Sequence, residues 1–126
     1  SLGPSSYKKY YIEVAGVSFT AAVAMTVAIS GNNGTNYGTA LTITSALAAA
    51  GDTFDGWIEI GNINSTVRFG SPINFLVQRS SNGARILPDA TDNFGKNTTG
   101  AGGAVDAIQF AGGTFDAGAI RIYGVK

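Results

Sequence analysis

The side chains able to do chemistry in this 126-residue chain fall into three small groups. The run Asp89-Ala-Thr-Asp92-Asn93 places oxygen ligands at a spacing that suits a calcium ion. It lacks the full pattern of a helix–loop–helix calcium site, and Asp and Asn are also ordinary turn residues, so a turn is the favoured reading. Asp52 and Asp55 form a carboxylate pair of the kind that glycosidases use as general acid and base. Such pairs need a cleft floored by aromatics, and only Phe54 and Trp57 stand near them in sequence. Capping of the turn before the next strand is the favoured role there.

The third group is aromatic. Trp57, Tyr11, Tyr37 and Tyr123, with Arg121 beside the last, are candidates for gripping a sugar, since an exposed ring stacks on the apolar face of a pyranose. Trp and Tyr are also the residues that fill subunit interfaces, and that use is favoured here. Ser and Thr are plentiful, yet the chain has no histidine to activate them and no cysteine to replace them. The sequence therefore reads as a non-enzyme without a cofactor, Ca2+ being the one weak candidate.

Composition narrows the partners. Eight basic residues balance eight acidic ones, so no net field draws the protein to nucleic acid or to an anionic membrane. No apolar run approaches the roughly 20 residues of a membrane-spanning helix. The opening Ser1-Leu-Gly-Pro lacks the basic and then apolar pattern of a secretory leader. Charged residues make up 13% of the chain, against about 25% in ordinary soluble domains. A surface so poor in charge points to burial against other subunits, the competing reading being solvation by the plentiful Asn, Thr, Ser and Gly.

The elements that must position these groups are strands. Between Lys8 and Val14 apolar and polar residues alternate, with Tyr10, Ile12 and Val14 on one face and Lys9, Tyr11 and Glu13 on the other. Val23, Met25, Val27 and Ile29 repeat that pattern, followed by a turn at Gly31-Asn-Asn-Gly34. Leu41 and Ile43 read as a strand, and Ser45–Ala50 as one helical turn. A strand over Phe54–Ile63 turns Ile58 and Ile60 inward and Trp57 and Glu59 outward. Val67 and Phe69, then Ile73, Phe75 and Val77, predict core positions of two strands separated at Pro72. Within the loose stretch 83–103, Arg85–Pro88 reads as a short strand and residues 88–103 as a long surface loop. Ile108 and Phe110 are expected to pair with Ile120 and Ile122 across a closing hairpin, with Arg121 and Tyr123 on the opposite face. The sum is an all-β chain: a jelly-roll-like β-sandwich of about eight strands with at most one short helical turn. Residues 1–6 form a flexible or partner-bound tail and residues 7–126 a single domain. The first and last strands read as long and central.

The ending, Val105-Asp-Ala-Ile-Gln-Phe110, a glycine turn, then Phe115-Asp-Ala-Gly118-Ala-Ile-Arg-Ile-Tyr-Gly-Val125, resembles the close of small tail-fibre and virion-surface proteins of tailed bacteriophages. Those proteins share a closing strand of the form Gly-x-Ile-Arg-Leu-Tyr-Gly. Tyr11-Ile-Glu-Val-Ala-Gly-Val17 and Ser30-Gly-Asn-Asn-Gly34 are similar to their N-terminal strands and turn, and Trp57-Ile-Glu-Ile-Gly61 to a central strand. The resemblance implies a non-enzymatic structural protein on the exterior of a phage-like virion, assembled in the cytoplasm of the bacterial host. It would be a fibre, spike or tail component that forms a homotrimer, binds other virion proteins and contacts host-surface glycans. A capsid decoration protein and a free-standing carbohydrate-binding module are the alternatives.

Overall fold

The computed structural model describes residues 7–45, 52–64, 69–87, 93–95 and 104–126. Its strands are β1 (Lys9–Phe19), β2 (Thr26–Ser30), β3 (Leu41–Thr42), β4 (Phe54–Ile60), β5 (Phe69–Arg79), β6 (Asn93–Gly95), β7 (Ala107–Ala111) and β8 (Phe115–Val125). No helix occurs among the described residues. β5, β4, β1 and β8 form an antiparallel sheet that the short β6 extends beyond β5, and β3, β2 and β7 form a second. The chain is thus all-β with two antiparallel sheets sharing one apolar core, an arrangement consistent with a β-sandwich.

Period-two alternation builds that core. Tyr10, Ile12 and Val14 of β1 stand opposite Ile60, Ile58 and Gly56 of β4, and these in turn stand opposite Ile73, Phe75 and Val77 of β5. Directly opposed residues share a face, so these rows form one apolar surface. Met25, Val27, Ile29 and Ile43, in and beside β2 and β3, close on it, all with 0% exposure. The hydroxyl of Tyr10 crosses the core and donates to the carbonyl of Val105 at 2.9 Å. Burial, with the nearby Asp106 and Tyr7 adding to it, pushes the Tyr10 phenol up to about 12.

The β1 strand passes through Gly16. It bulges there, the β4 register shifting between Val14 and Val17, and then runs on to Phe19. Gly16 adopts φ 59°, a backbone state that favours glycine. Its N–H leaves the ladder and donates to Asp55 Oδ1 at 2.7 Å.

Several expectations need correction. Pro72 does not divide two strands, because β5 runs through it. Proline lacks only a donor, and here its carbonyl accepts from Gly61 N at 2.9 Å while the chain continues. The 88–103 stretch is not all loop, since Asn93–Gly95 pairs with β5 as β6, and of the short strand expected over Arg85–Pro88 the described residues show a single bridge from Arg85 to Gln78. The β4 strand ends at Ile60 and β3 spans only two residues. Most consequentially, β7 and β8 are not a hairpin pair. Ile108 and Phe110 face Ile29 and Val27 of β2, whereas Ile120 and Ile122 face Val14 and Ile12 of β1. The chain changes sheets at Gly112 (φ 151°), where a Cβ would stand 2.2 Å from the carbonyl oxygen of Ala24.

β8 is long, as expected, yet it lies at a sheet edge and is not central. The second sheet leaves its inner face partly open. Ile120 is half-buried, Ile122 is 38% exposed, and Phe115 is 45% exposed although its ring sits 4.8 Å from that of Phe19. The tail 1–6, the Ala46–Ala50 part of the expected helical turn, and Val67 lie outside the described residues.

Candidate functional site

The outer face of the larger sheet gathers most of the aromatic candidates. On β1 the residues between the core positions are Lys9, Tyr11 and Glu13, and register extends each into a row. Leu76, Trp57, Glu13 and Arg121 lie side by side across β5, β4, β1 and β8; Asn74, Glu59, Tyr11 and Tyr123 form the adjacent row. With strands about 4.8 Å apart, the two rows make a platform wide enough for one or two sugar rings or for a flat protein contact.

Electrostatics tie the platform together. Arg121 Nη1 lies 3.1 Å from Glu13 Oε1, and Lys9 Nζ lies 3.4 Å from Glu59 Oε1. Tyr11 and Tyr123 pack with centroids 6.4 Å apart at 42°. Tyr123 is 47% exposed, while Tyr11 and Trp57 are half-buried among their neighbours. Rings held by flanking ion pairs lose little freedom on binding. Such a surface can stack on a pyranose while the carboxylates and guanidinium bond its hydroxyls, and it has the composition of a protein–protein contact.

Tyr37 does not join this group. It follows β2, at the end of the smaller sheet, where its hydroxyl lies 2.8 Å from the place a Cβ on Gly34 would take. There Asn33 adopts φ 57° and its N–H donates to both carboxylate oxygens of Asp106 at 2.9 and 3.0 Å. This staple joins the Gly31–Gly34 turn to the approach of β7.

The acidic pair serves the backbone. Asp55 accepts from Gly16 N at the bulge and, through its other oxygen, from Ser80 Oγ. Asp52 Oδ1 accepts from Thr53 N at 3.0 Å and from Ser81 N at 3.3 Å. These bonds tie the start of β4 to the end of β5. Of the calcium candidates, Asp89 and Asp92 lie outside the described residues, and Asn93 pairs with Pro72 in β6. Among the described residues no group of three Asp, Glu, His or Cys could hold a metal ion.

The aromatic reading missed Glu13, Glu59 and Lys9, which complete the platform. Alternation alone places them on the outer face; that Glu13 opposes Arg121 and Trp57, and that Glu59 opposes Tyr11 within reach of Lys9, follows only from strand register. A scan against protein-family models and searches of curated proteins and solved structures return no match to this chain.

Proposed function

We propose that this protein is a non-enzymatic structural component of the exterior of a phage-like virion, presenting the outer face of its larger sheet to a partner. The platform of Trp57, Tyr11, Tyr123 and Arg121 carries this reading: four contact-forming side chains share one face, spaced by register and braced by two ion pairs. The phage-like phrasing of residues 105–125, low charge and self-braced carboxylates support it. Its partners are copies of itself and other virion proteins, with a bacterial surface glycan as the candidate host ligand. Repetition on a symmetric particle would turn weak contacts into firm attachment. We also read the fold as a jelly-roll relative of about eight strands. The nested pairings of β1 with β8 and β2 with β7 support that reading, although β4 joins β1 where a regular jelly roll would join it to β7.

The decisive experiment locates the chain in purified particles with an antibody, visible on fibre, tail or head. Absence from particles overturns the proposal. Labelling on the head shell would favour a capsid decoration role. The aromatic platform also supports a free-standing carbohydrate-binding module, which a glycan array distinguishes. Binding by the isolated protein, lost at least tenfold in Trp57→Ala, together with absence from particles, would establish that alternative.

A further inference from the structure

The edge of the larger sheet is self-complementary. We propose that β8 pairs antiparallel with β8 of a second copy about a two-fold axis through Ile122, joining the two larger sheets into one.

Backbone phase is the first support. Ser80 N donates to Thr53 O and Gly61 N to Pro72 O, both at 2.9 Å, so the odd-numbered residues of β4 point their backbone groups at β5. Polar backbone groups alternate sides along a strand. Carried through the registers of β4 with β1 and β1 with β8, that alternation turns Lys9, Tyr11 and Glu13 toward Val125, Tyr123 and Arg121. The N–H and C=O groups of Ile120, Ile122 and Gly124 therefore point away from β1, where no described strand meets them. From Ala119 to Val125 the register with β1 is unbroken, and this segment contains no proline and one charge. Native proteins ordinarily protect such an edge.

Side chains select a second copy and the register. The regular segment Ala119-Ile-Arg-Ile-Tyr-Gly-Val125 has Ile122 at its midpoint. With Ile122 opposite Ile122 of the second copy, Arg121 of each copy faces Tyr123 of the other, Ile120 faces Gly124, and Ala119 faces Val125. Large residues thus meet small ones, and each guanidinium meets an aromatic ring. Centring the axis on Arg121 would instead oppose two like charges. Glu13 already neutralises Arg121 within each copy, so the chosen register carries little repulsion. On the inner face, Ile122, 38% exposed, gains an apolar partner. Ile120 of the second copy arrives over Gly124 beside the Tyr7 ring, which would lie 2.5 Å from a Cβ at that glycine. Each outer row of Trp57, Glu13 and Arg121 in one copy then continues into Tyr123, Tyr11 and Glu59 of the other.

The contact goes beyond the virion reading and does not depend on it. A pairing confined to one strand edge is small, at the low end of specific interfaces (below about 1,200 Å2), so a micromolar dissociation constant is expected. Sedimentation equilibrium of the intact protein should show a monomer–dimer equilibrium. Tyr123→Lys, which sets a lysine against each Arg121, should weaken it at least tenfold while leaving the monomer's circular dichroism unchanged and lowering its melting by no more than loss of the Tyr11 contact accounts for. Because the chain has no cysteine, Ile122→Cys adds a lone thiol, about 5.5 Å Cα to Cα from its copy and within disulfide reach. Under mild oxidation it should cross-link at least tenfold faster than Tyr123→Cys, whose copies lie diagonally at about 7–8 Å. A monomer at several hundred micromolar, an assembly (a trimer included) indifferent to Tyr123→Lys, or equal cross-linking of the two cysteine variants would each overturn the pairing. A dimer missing from particles would instead overturn the virion reading alone.

Discussion

Replacing Tyr10 with Phe removes one oxygen atom from the centre of the molecule and should invert its stability ranking with pH. In the native protein Tyr10 is 1% exposed, and its hydroxyl donates to Val105 O at 2.9 Å. Deleting the donor loses a hydrogen bond worth about 1 kcal/mol and leaves a buried carbonyl short of a partner, so Tyr10→Phe should cost roughly 1–2 kcal/mol at neutral pH. Alkali reverses the balance. The phenol's folded value of about 12 lies above its ordinary 10.0, so the folded state holds this proton more tightly than the unfolded state. The resulting stabilisation is complete below pH 10 and is lost as pH rises from 10 through 12. By linkage the loss is on the order of 1 kcal/mol at pH 11 and approaches roughly 2–3 kcal/mol above pH 12. The Phe variant has no such proton to lose. Urea denaturation of both proteins at pH 8, 10, 11 and 11.5 provides the assay, and the difference between them cancels the other tyrosines and the lysines. The deficit of the variant should shrink by more than 1 kcal/mol between pH 8 and 11.5. A difference that stays constant across that range would refute the buried, proton-holding role of Tyr10.

Two further substitutions test the frame of the platform. Gly56 adopts φ 151° on β4, and a Cβ there would stand 1.8 Å from the carbonyl oxygen of Leu76. Backbone cannot swing aside as a side chain can, so Gly56→Ala should lose about 3 kcal/mol or more, measured by thermal melting and urea titration. Arg121→Ala should cost about 0.5 kcal/mol or less at physiological salt, because the ion pair with Glu13 is half exposed. A larger loss in the monomer would mean that Arg121 holds the β1–β8 register as well as decorating it.

Local residue patterning sets the face on which each side chain lies. Strict alternation in β1 and β4 placed Tyr10, Ile12, Ile58 and Ile60 inside and Tyr11, Glu13, Trp57 and Glu59 outside, because successive side chains in any strand point oppositely whatever the strand pairs with. The Asn-Gly turn before Tyr37 was legible for the same local reason, since positive φ suits those residues. Which strands become neighbours is set by long-range packing. Nothing local to Ile108 or Ile120 says that one belongs to β2 and the other to β1. That choice is made at Gly112, where the backbone passes so near Ala24 that no side chain fits, and by burial summed over two whole sheets. The same global choice left β8 at an edge. It turned Ile122 from an expected core residue into an exposed one, and it set Trp57, Glu13 and Arg121 in one row. Alternation is a property of each strand's own backbone, whereas adjacency is a property of long-range packing that no single strand encodes.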